Sequence, residues 1–351
     1  MHEKLLMMGD HALAEGAIRA GCRFFAGYPI TPQSEILEYM SVRLPPSGGC
    51  FIQAESEWEA IMMVYGAGAV GVRAMTSSVG TAWALMFEGL AHLVACQVPA
   101  VIVDINRLGP GEGQLPPAQS DYKMATKGGH GDAHWIVLAP ASVQEMADHA
   151  VLAFELADRY RNPVMILADG MTAMSMASVI LPDPVQPSGG KPWTASGEPG
   201  RPRNEVGPYF GHGSNDDIIA LNAALSAKYA TMATEECRWE EKFTDDADIL
   251  IVAFGLAART AHQAVLDAHS RGQRVGLLRP ITLWPFPSAR VRELSRRASS
   301  VIVAEMNLGQ MIDDVRAAID CAVPIHHLGQ ACWPIYPDQF AAALAAAHAA
   351  A

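Results

Sequence analysis

Short runs of β-branched and other apolar residues recur between helix-length segments, and nothing else in the chain restricts its fold so tightly. Residues 100–105, 164–168, 249–253, 275–278 and 301–304 carry such runs, bounded by Gly, Pro or polar residues. Because most of these runs do not alternate polar with apolar, they suit strands covered on both faces. A strand, a helix and another strand in succession imply right-handed crossovers and a parallel sheet. The expected fold class is therefore α/β, with two doubly wound parallel-sheet domains.

The first domain is expected over residues 1–182. Its strands read at 24–26, 51–53, 73–76, 100–105, 135–138 and 164–168. Its helices read at 10–20, from 34, and at 56–69, 81–94 and 143–160, the first closed by Gly21 in a helix-ending position. Residues 182–213 are too dense in Pro and Gly for a regular helix and read as a linker or an arm wrapped over a neighbour. Residues 215–242 read as one long helix, acidic towards its end, so linker and helix together occupy 183–245. The alternation resumes from 246 to 351, with strands at 249–253, 275–278 and 301–304 and helices at 257–271, 288–297 and 310–321.

Composition narrows the functions open to such a fold. With 25 Lys and Arg against 37 Asp and Glu the net charge is −12, and no basic block offers a nucleic-acid face. The 6 cysteines are scattered without a C-x-x-C, which argues against a zinc site, an iron–sulfur cluster held by this chain alone, or a disulfide framework. A reducing cytoplasm is the expected compartment. The start of the chain mixes in acids and does not read as a signal peptide. Its apolar strings are strand-sized, far below the roughly 18 residues of a membrane span. No G-x-G-x-x-G, P-loop, G-x-S-x-G or H-E-x-x-H is present in the required context. His130 and His134 are four apart, but the surrounding glycines leave no helix to align them as metal ligands.

Three features could carry chemistry. The loop Gly27-Tyr28-Pro29-Ile30-Thr31-Pro32 follows a predicted strand, where ligands bind in open parallel sheets, and its prolines would hold the Thr31 hydroxyl rigidly. A merely structural turn is the alternative. Glu55-Ser56-Glu57-Trp58-Glu59 stands where a strand turns into an apolar helix. Capping explains at least two of these acids, while a third turned inwards would hold a proton unusually well. Arg107, at a strand end, could pair with a carboxylate or phosphate, or form a surface salt bridge.

With these residues in place, the chain resembles the 2-oxoacid:ferredoxin oxidoreductase family, in the subunit that binds the pyrimidine of thiamine diphosphate, and most closely its 2-oxoisovalerate-type branch. GCRFFAGYPITPQSEI, FIQAESEWEAIMMVYGAGAVGVRAMTSS, QSDYKMATKGGHGD, GLLRPITLWPFP and VAEMNLGQMIDDVR carry the likeness, which runs from about residue 5 to about 340. The resemblance implies a thiamine diphosphate pyrimidine-binding domain followed by a transketolase C-terminal-like domain. It also implies a cofactor shared between subunits, with a partner supplying the diphosphate–Mg2+ side and a [4Fe-4S] cluster. Further gamma- and delta-type subunits, ferredoxin and coenzyme A complete the implied partners. Glu57 falls where the family places the glutamate facing pyrimidine N1′. Tyr28, Pro29, Thr31 and Ser78 fall on the cofactor's side, and Thr31 and Arg107 where the substrate carbonyl and carboxylate are held.

The implied activity is oxidative decarboxylation of a 2-oxoacid with coenzyme A to an acyl-CoA. The rivals are a thiamine-dependent dehydrogenase subunit that uses lipoamide or NAD, and a scaffold subunit without catalysis. Joint retention of Thr31, Glu57 and Arg107 argues against the scaffold. The chain departs from its relatives at Arg107-Leu108-Gly109-Pro110-Gly111-Glu112-Gly113 and at Ser77 to Trp83, so Leu108, Glu112 and Trp83 are expected near the substrate.

Overall fold

The computed structural model describes residues 4–185, 190–195, 197, 199–200, 204–207 and 214–350. In chain order the strands are β1 (Lys4–Met8), β2 (Phe24–Gly27), β3 (Cys50–Gln53), β4 (Ala74–Ser78) and β5 (Ala100–Leu108). Next come β6 (Gln114–Pro117), β7 (Ile136–Leu138), β8 (Pro163–Asp169), β9 (Met176–Ile180) and β10 (Trp239–Lys242). The last are β11 (Ile249–Ala253), β12 (Val275–Pro280), β13 (Thr282–Trp284), β14 (Ser300–Glu305) and β15 (Ile325–Gly329).

The larger sheet runs β13-β7-β8-β5-β4-β2-β3, with β6 folded back on the far end of β5. Its strands from β7 to β3 are parallel, and β13 closes one edge antiparallel. The smaller sheet runs β10-β12-β11-β14-β15, parallel except for β10. Val101, Val103 and Ile105 of β5 pack under the helices Gly9–Arg19, Ser34–Arg43 and Val143–Tyr160. Ala100 and Ile102 pack under Glu57–Ala69 and Phe87–Ala95 on the opposite face. Both faces are covered, which is why the strand reads as one apolar run. Each fully buried Val or Ile contributes about 1.5–3 kcal/mol. The α/β class with doubly wound sheets stands.

Several elements differ from the sequence reading. The expected helix over 81–94 is two, Gly80–Ala84 and Phe87–Ala95. Between them Leu85 N–H and Met86 N–H bond to Ala82 and Trp83 carbonyls three residues back, tightening the turn. The expected helix over 215–242 ends at Glu235. Glu236, fully buried, accepts hydrogen bonds from Tyr160, Arg159 and Arg238, and the chain then extends into β10. The acidic stretch taken for a helix face is a strand whose Glu240 and Glu241 pair with Arg279 and Arg290. The ribbon of β1 and β9, the helices Tyr122–Lys127 and Pro337–Ala350, and the edge strands β6, β13 and β15 were not anticipated. The expected arm over 182–213 lies partly outside the described residues. Its described pieces run along the larger unit: Val185 N–H bonds to Arg19 O, Ala195 N–H to Ala69 O, and Tyr65 OH to Val206 O. No helix among the described residues is long and apolar enough to cross a membrane.

The two sheets are joined by charge as well as by β13. Arg279, at the end of β12 and 6% exposed, donates two hydrogen bonds of 2.8 Å to Glu145 and one of 3.0 Å to Glu240. Those bonds outweigh the burial of Glu145 and hold its carboxyl below the usual range. Nearby His149 is buried, which pushes its imidazole down to about 4 and keeps it neutral. Arg279→Ala leaves Glu145 without its ion-pair partner, while Glu240 keeps Lys242, and is expected to cost on the order of 3 kcal/mol in chemical denaturation. A loss below about 1 kcal/mol would class the pair with surface bridges.

Candidate active site

Because the central strands are parallel, their C-terminal ends open on one edge of the larger sheet, where α/β folds bind ligands. In spatial order this edge presents Asp169 (β8), Asn106 and Arg107 (β5), Ser78 (β4), the loop after β2 and the turn after β3. Every residue assigned to the site from sequence lies along it.

The loop after β2 is held from beneath. Gln33, fully buried, donates from Nε2 to Tyr28 O at 2.8 Å and accepts from Ser77 Oγ at 2.5 Å, tying the loop to β4. Tyr28, Pro29 and Thr31 stand exposed above it. Arg107 donates from Nη1 to Thr31 O at 2.7 Å and from Nη2 to Glu112 O at 2.5 Å. These are backbone carbonyls, so the structure brings Thr31 and Arg107 together and replaces the surface salt bridge. A guanidinium has five N–H donors, and these two bonds leave three for a ligand.

The segment from Leu108 to Gly113 folds over Arg107. Gly111 and Gly113 take φ of 72° and 75°, and a Cβ on Gly113 would run into the Leu108 carbonyl. Thr81 Oγ donates to Gly111 O and ties the loop to the helix after β4. A cleft of about 150 Å³ results, lined by Thr81, Arg107, Leu108, Glu112, Asp121 and Met124 among others. Leu108 and Glu112 are thus beside it as expected. Trp83 is not: it is fully buried in the core against Phe87, because the short helix turns that face inward.

Of the three acids after β3, Glu59 does the capping. Its N–H bonds to Ser56 Oγ, and its carboxylate accepts from the same hydroxyl. Glu55 is exposed. Glu57, the first residue of its helix, is 5% exposed, and its Oε1 has no hydrogen-bond partner among the described residues. Burial pushes its carboxyl up, and the Glu59 charge adds to the effect. Capping therefore accounts for Glu59 and leaves Glu57 over. Along the edge Glu57 is three strand spacings from Arg107, about 14 Å at the strand roots.

Sequence reasoning named Ser78 but missed the two aspartates beneath it. Ser78 is fully buried with its Oγ unpartnered, opposite Asp104 in the β4–β5 register. Asp104 is also fully buried, and Asp121 is 8% exposed. The one aspartate inside the apolar run AVIVDI was the available signal. Asp121 sits on a segment gripped by the smaller unit. The Gln119 side chain donates to Phe254 O at 2.9 Å and accepts from Met306 N–H at 3.0 Å. Asn307 donates to Gln119 O, Gln310 donates to Ser120 O, and Tyr122 OH donates to Asp314. Among the described residues no group of three or more His, Cys, Asp or Glu is placed to hold a metal ion. A larger cavity of about 650 Å³ lies between the helix Asn215–Glu235 and residues 130–134, away from the strand ends.

Comparison with known proteins extends this picture. Residues 15–222 match the family described as pyruvate flavodoxin/ferredoxin oxidoreductase, thiamine diphosphate-binding, and residues 247–331 match pyruvate:ferredoxin oxidoreductase core domain II. The chain is 46% identical over 318 residues to the ketoisovalerate oxidoreductase subunit VorB of Methanothermobacter marburgensis, covering 90% of each protein. It is 38% identical to the 2-oxoglutarate synthase subunit KorA of the same organism, covering 90% of this chain and 91% of that one. Among solved structures, 2-oxoglutarate:ferredoxin oxidoreductase from Magnetococcus marinus, with 2-oxoglutarate, coenzyme A and succinyl-CoA bound, superposes with a TM-score of 0.87 at 27% identity. That match covers 99% of this chain but 65% of the other.

Gly113→Ala tests the loop over Arg107. The added methyl meets the Leu108 carbonyl in a backbone conformation that alanine resists. Hydrogen exchange of the amides at 108–113 is expected to speed up by about tenfold or more while the core stays protected. Unchanged exchange would show that the cleft does not depend on this glycine.

Proposed function

Because the chain belongs to the pyruvate flavodoxin/ferredoxin oxidoreductase family and carries its thiamine diphosphate-binding domain, we propose that it is a subunit of a heteromeric 2-oxoacid:ferredoxin oxidoreductase. The complex converts a 2-oxoacid and coenzyme A to an acyl-CoA and CO2, and reduces ferredoxin in the cytoplasm. Mg2+ and the [4Fe-4S] clusters belong to partner subunits. The partners are a diphosphate- and iron–sulfur-binding catalytic subunit and further gamma- and delta-type subunits.

The observation that carries this reading is Glu57, a buried carboxyl with a free oxygen at the open edge of the sheet. An orphaned Oε1 fits a ring nitrogen that needs a proton partner, and burial keeps that proton on the carboxyl more readily than in water. Thiamine diphosphate, when bound, supplies the acidic carbon and the electron sink that decarboxylation needs. Glu57 holds or returns a proton at pyrimidine N1′. Arg107, fixed by two backbone carbonyls, offers its remaining N–H donors to the substrate carboxylate. Tyr28, Pro29, Thr31 and Ser78 shape the cofactor side of the same edge, with Thr31 beside the reacting carbonyl. This chain contributes half a site, and a partner completes it.

Glu57→Gln keeps the shape and removes the proton. H/D exchange at thiazolium C2 in the assembled enzyme is expected to slow by orders of magnitude, with assembly intact. Exchange at the normal rate would remove Glu57 from the site. Arg107→Lys keeps the charge but loses the planar contact, and about 1.5–3 kcal/mol, roughly 10- to 150-fold in kcat/KM, is expected to go with it. C2 exchange needs no substrate and is expected to be spared. Near-normal kcat/KM in Arg107→Ala across several oxoacids would retire the clamp.

A further inference from the structure

Asp104 and Asp121 lie on either side of the turn after β4: Ser78 pairs with Asp104, Asp121 Oδ2 stands beside Gly80, and Ser120 N–H bonds to Asn106 Oδ1 two residues on from Asp104. Neither Asp104 oxygen nor Asp121 Oδ2 has a hydrogen-bond partner among the described residues. The Gly80 backbone N–H acts on both carboxyls, and the Asn106 amide acts on Asp121. Asp104 lies three residues before Arg107 on β5, and Asp121 lines the cleft that Arg107 borders. Two carboxylates this close and this buried hold on to one proton near neutral pH. A carboxylic acid bonded to a carboxylate satisfies both with one proton.

We infer that Asp104 and Asp121 share a single proton, and that the one negative charge of the pair faces Arg107 and governs how well the cleft admits an anionic 2-oxoacid. This rests on Arg107 as the holder of the substrate carboxylate. Burial raises both groups and the Asp121 charge adds to the effect at Asp104, while Asp121 is pushed up to about 7 by burial even though Gly80 N–H, Arg107 and Asn106 act to lower it. Of the other charged groups around the pair, Glu112 lines the same cleft. Lys123 and Lys127 face Asp313 and Asp314 of the smaller unit, and Asp169 is tied to Thr172 and Leu256 N–H. With one proton the pair balances Arg107. Without it, two negative charges outweigh one guanidinium and repel the substrate carboxylate.

The test has two arms. Infrared difference spectra of the full chain are expected to show the carbonyl stretch of a protonated, buried carboxyl at neutral pH. The band of the pair should titrate away as pH rises, and its frequency and midpoint should shift in both Asp104→Asn and Asp121→Asn, whereas the band of a separate buried carboxyl such as Asp10 should not. Absence of the band from the unsubstituted protein, or an unchanged frequency and midpoint in both variants, overturns the shared proton. In the assembled enzyme, KM for the 2-oxoacid is expected to rise on the order of tenfold between roughly pH 7 and pH 9, with kcat changing less. In either Asn variant the site never carries more than the one charge that Arg107 balances, so the rise in KM should be clearly smaller than in the unsubstituted enzyme. A band together with a flat KM in the unsubstituted enzyme overturns the charge control. A normal KM in Arg107→Ala would instead overturn the clamp, and the infrared arm would still report on the pair.

Discussion

The buried amide of Gln119 fastens the two sheets to each other beside the cleft that Arg107 borders. Its side chain donates to Phe254 O, just beyond β11, and accepts from Met306 N–H, just beyond β14. Its backbone N–H bonds to Met306 O, and its carbonyl accepts from Asn307. A buried amide with its donors and acceptors engaged is rigid, because moving it would leave several polar groups dry and unpaired. Two residues later comes Asp121, held between the larger sheet and the Asn307–Gln310 turn of the smaller one. The floor of the Arg107 cleft is therefore a product of both units, although all the proposed ligand-facing residues come from the larger.

This explains why the distinctive text of the chain is spread over both halves. QSDYK and EMNLGQM are the two sides of the Gln119 joint, and RPITLWPFP supplies Arg279 for Glu145 and β13 for the sheet edge. As strings these stretches have no periodicity, so neither helix nor strand reasoning could interpret them. The parts of the fold that were legible are those where burial on both faces forces an apolar run, as in β5, β8, β11 and β14. The parts that were not are edges and joints. β10 reads as an acidic helix end because its partners, Arg279 and Arg290, are about 40 to 50 residues away in sequence. Trp83 was placed near the substrate because its segment is, yet one turn of helix rotates it into the core.

The site shows the same division. Tyr28, Pro29, Thr31, Glu57, Ser78 and Arg107 could be placed on the open edge from sequence because each stands at or just after the end of a recognisable strand. Gln33, Asp104 and Asp121 were missed because their roles depend on contacts between elements. Gln33 links the loop after β2 to β4, and Asp104 acquires significance only beside Asp121. A single aspartate in an apolar strand signals that something must compensate it. The sequence alone does not say what.

Burial by itself does not separate working groups from structural ones here. Glu305 is fully buried, but its carboxylate accepts N–H bonds from Gln310, Met311 and Ile312 at the head of a helix, with His327 Nε2 at 3.4 Å. That carboxylate is spent on the fold. Glu57 occupies the corresponding place at the head of its own helix, yet Ser56 and Glu59 have taken over the cap and left its Oε1 free. Arg107 stands in the same relation to Arg279. Arg279 gives three hydrogen bonds to two carboxylates, while Arg107 gives two to carbonyls and keeps its full charge. At the open edge of the sheet, bonding capacity is held in reserve; at the joints it is used. A surface that keeps a buried acid unsatisfied costs stability in the isolated chain. A ligand that binds these groups in the folded chain would recover that cost, as the proposed shared site requires.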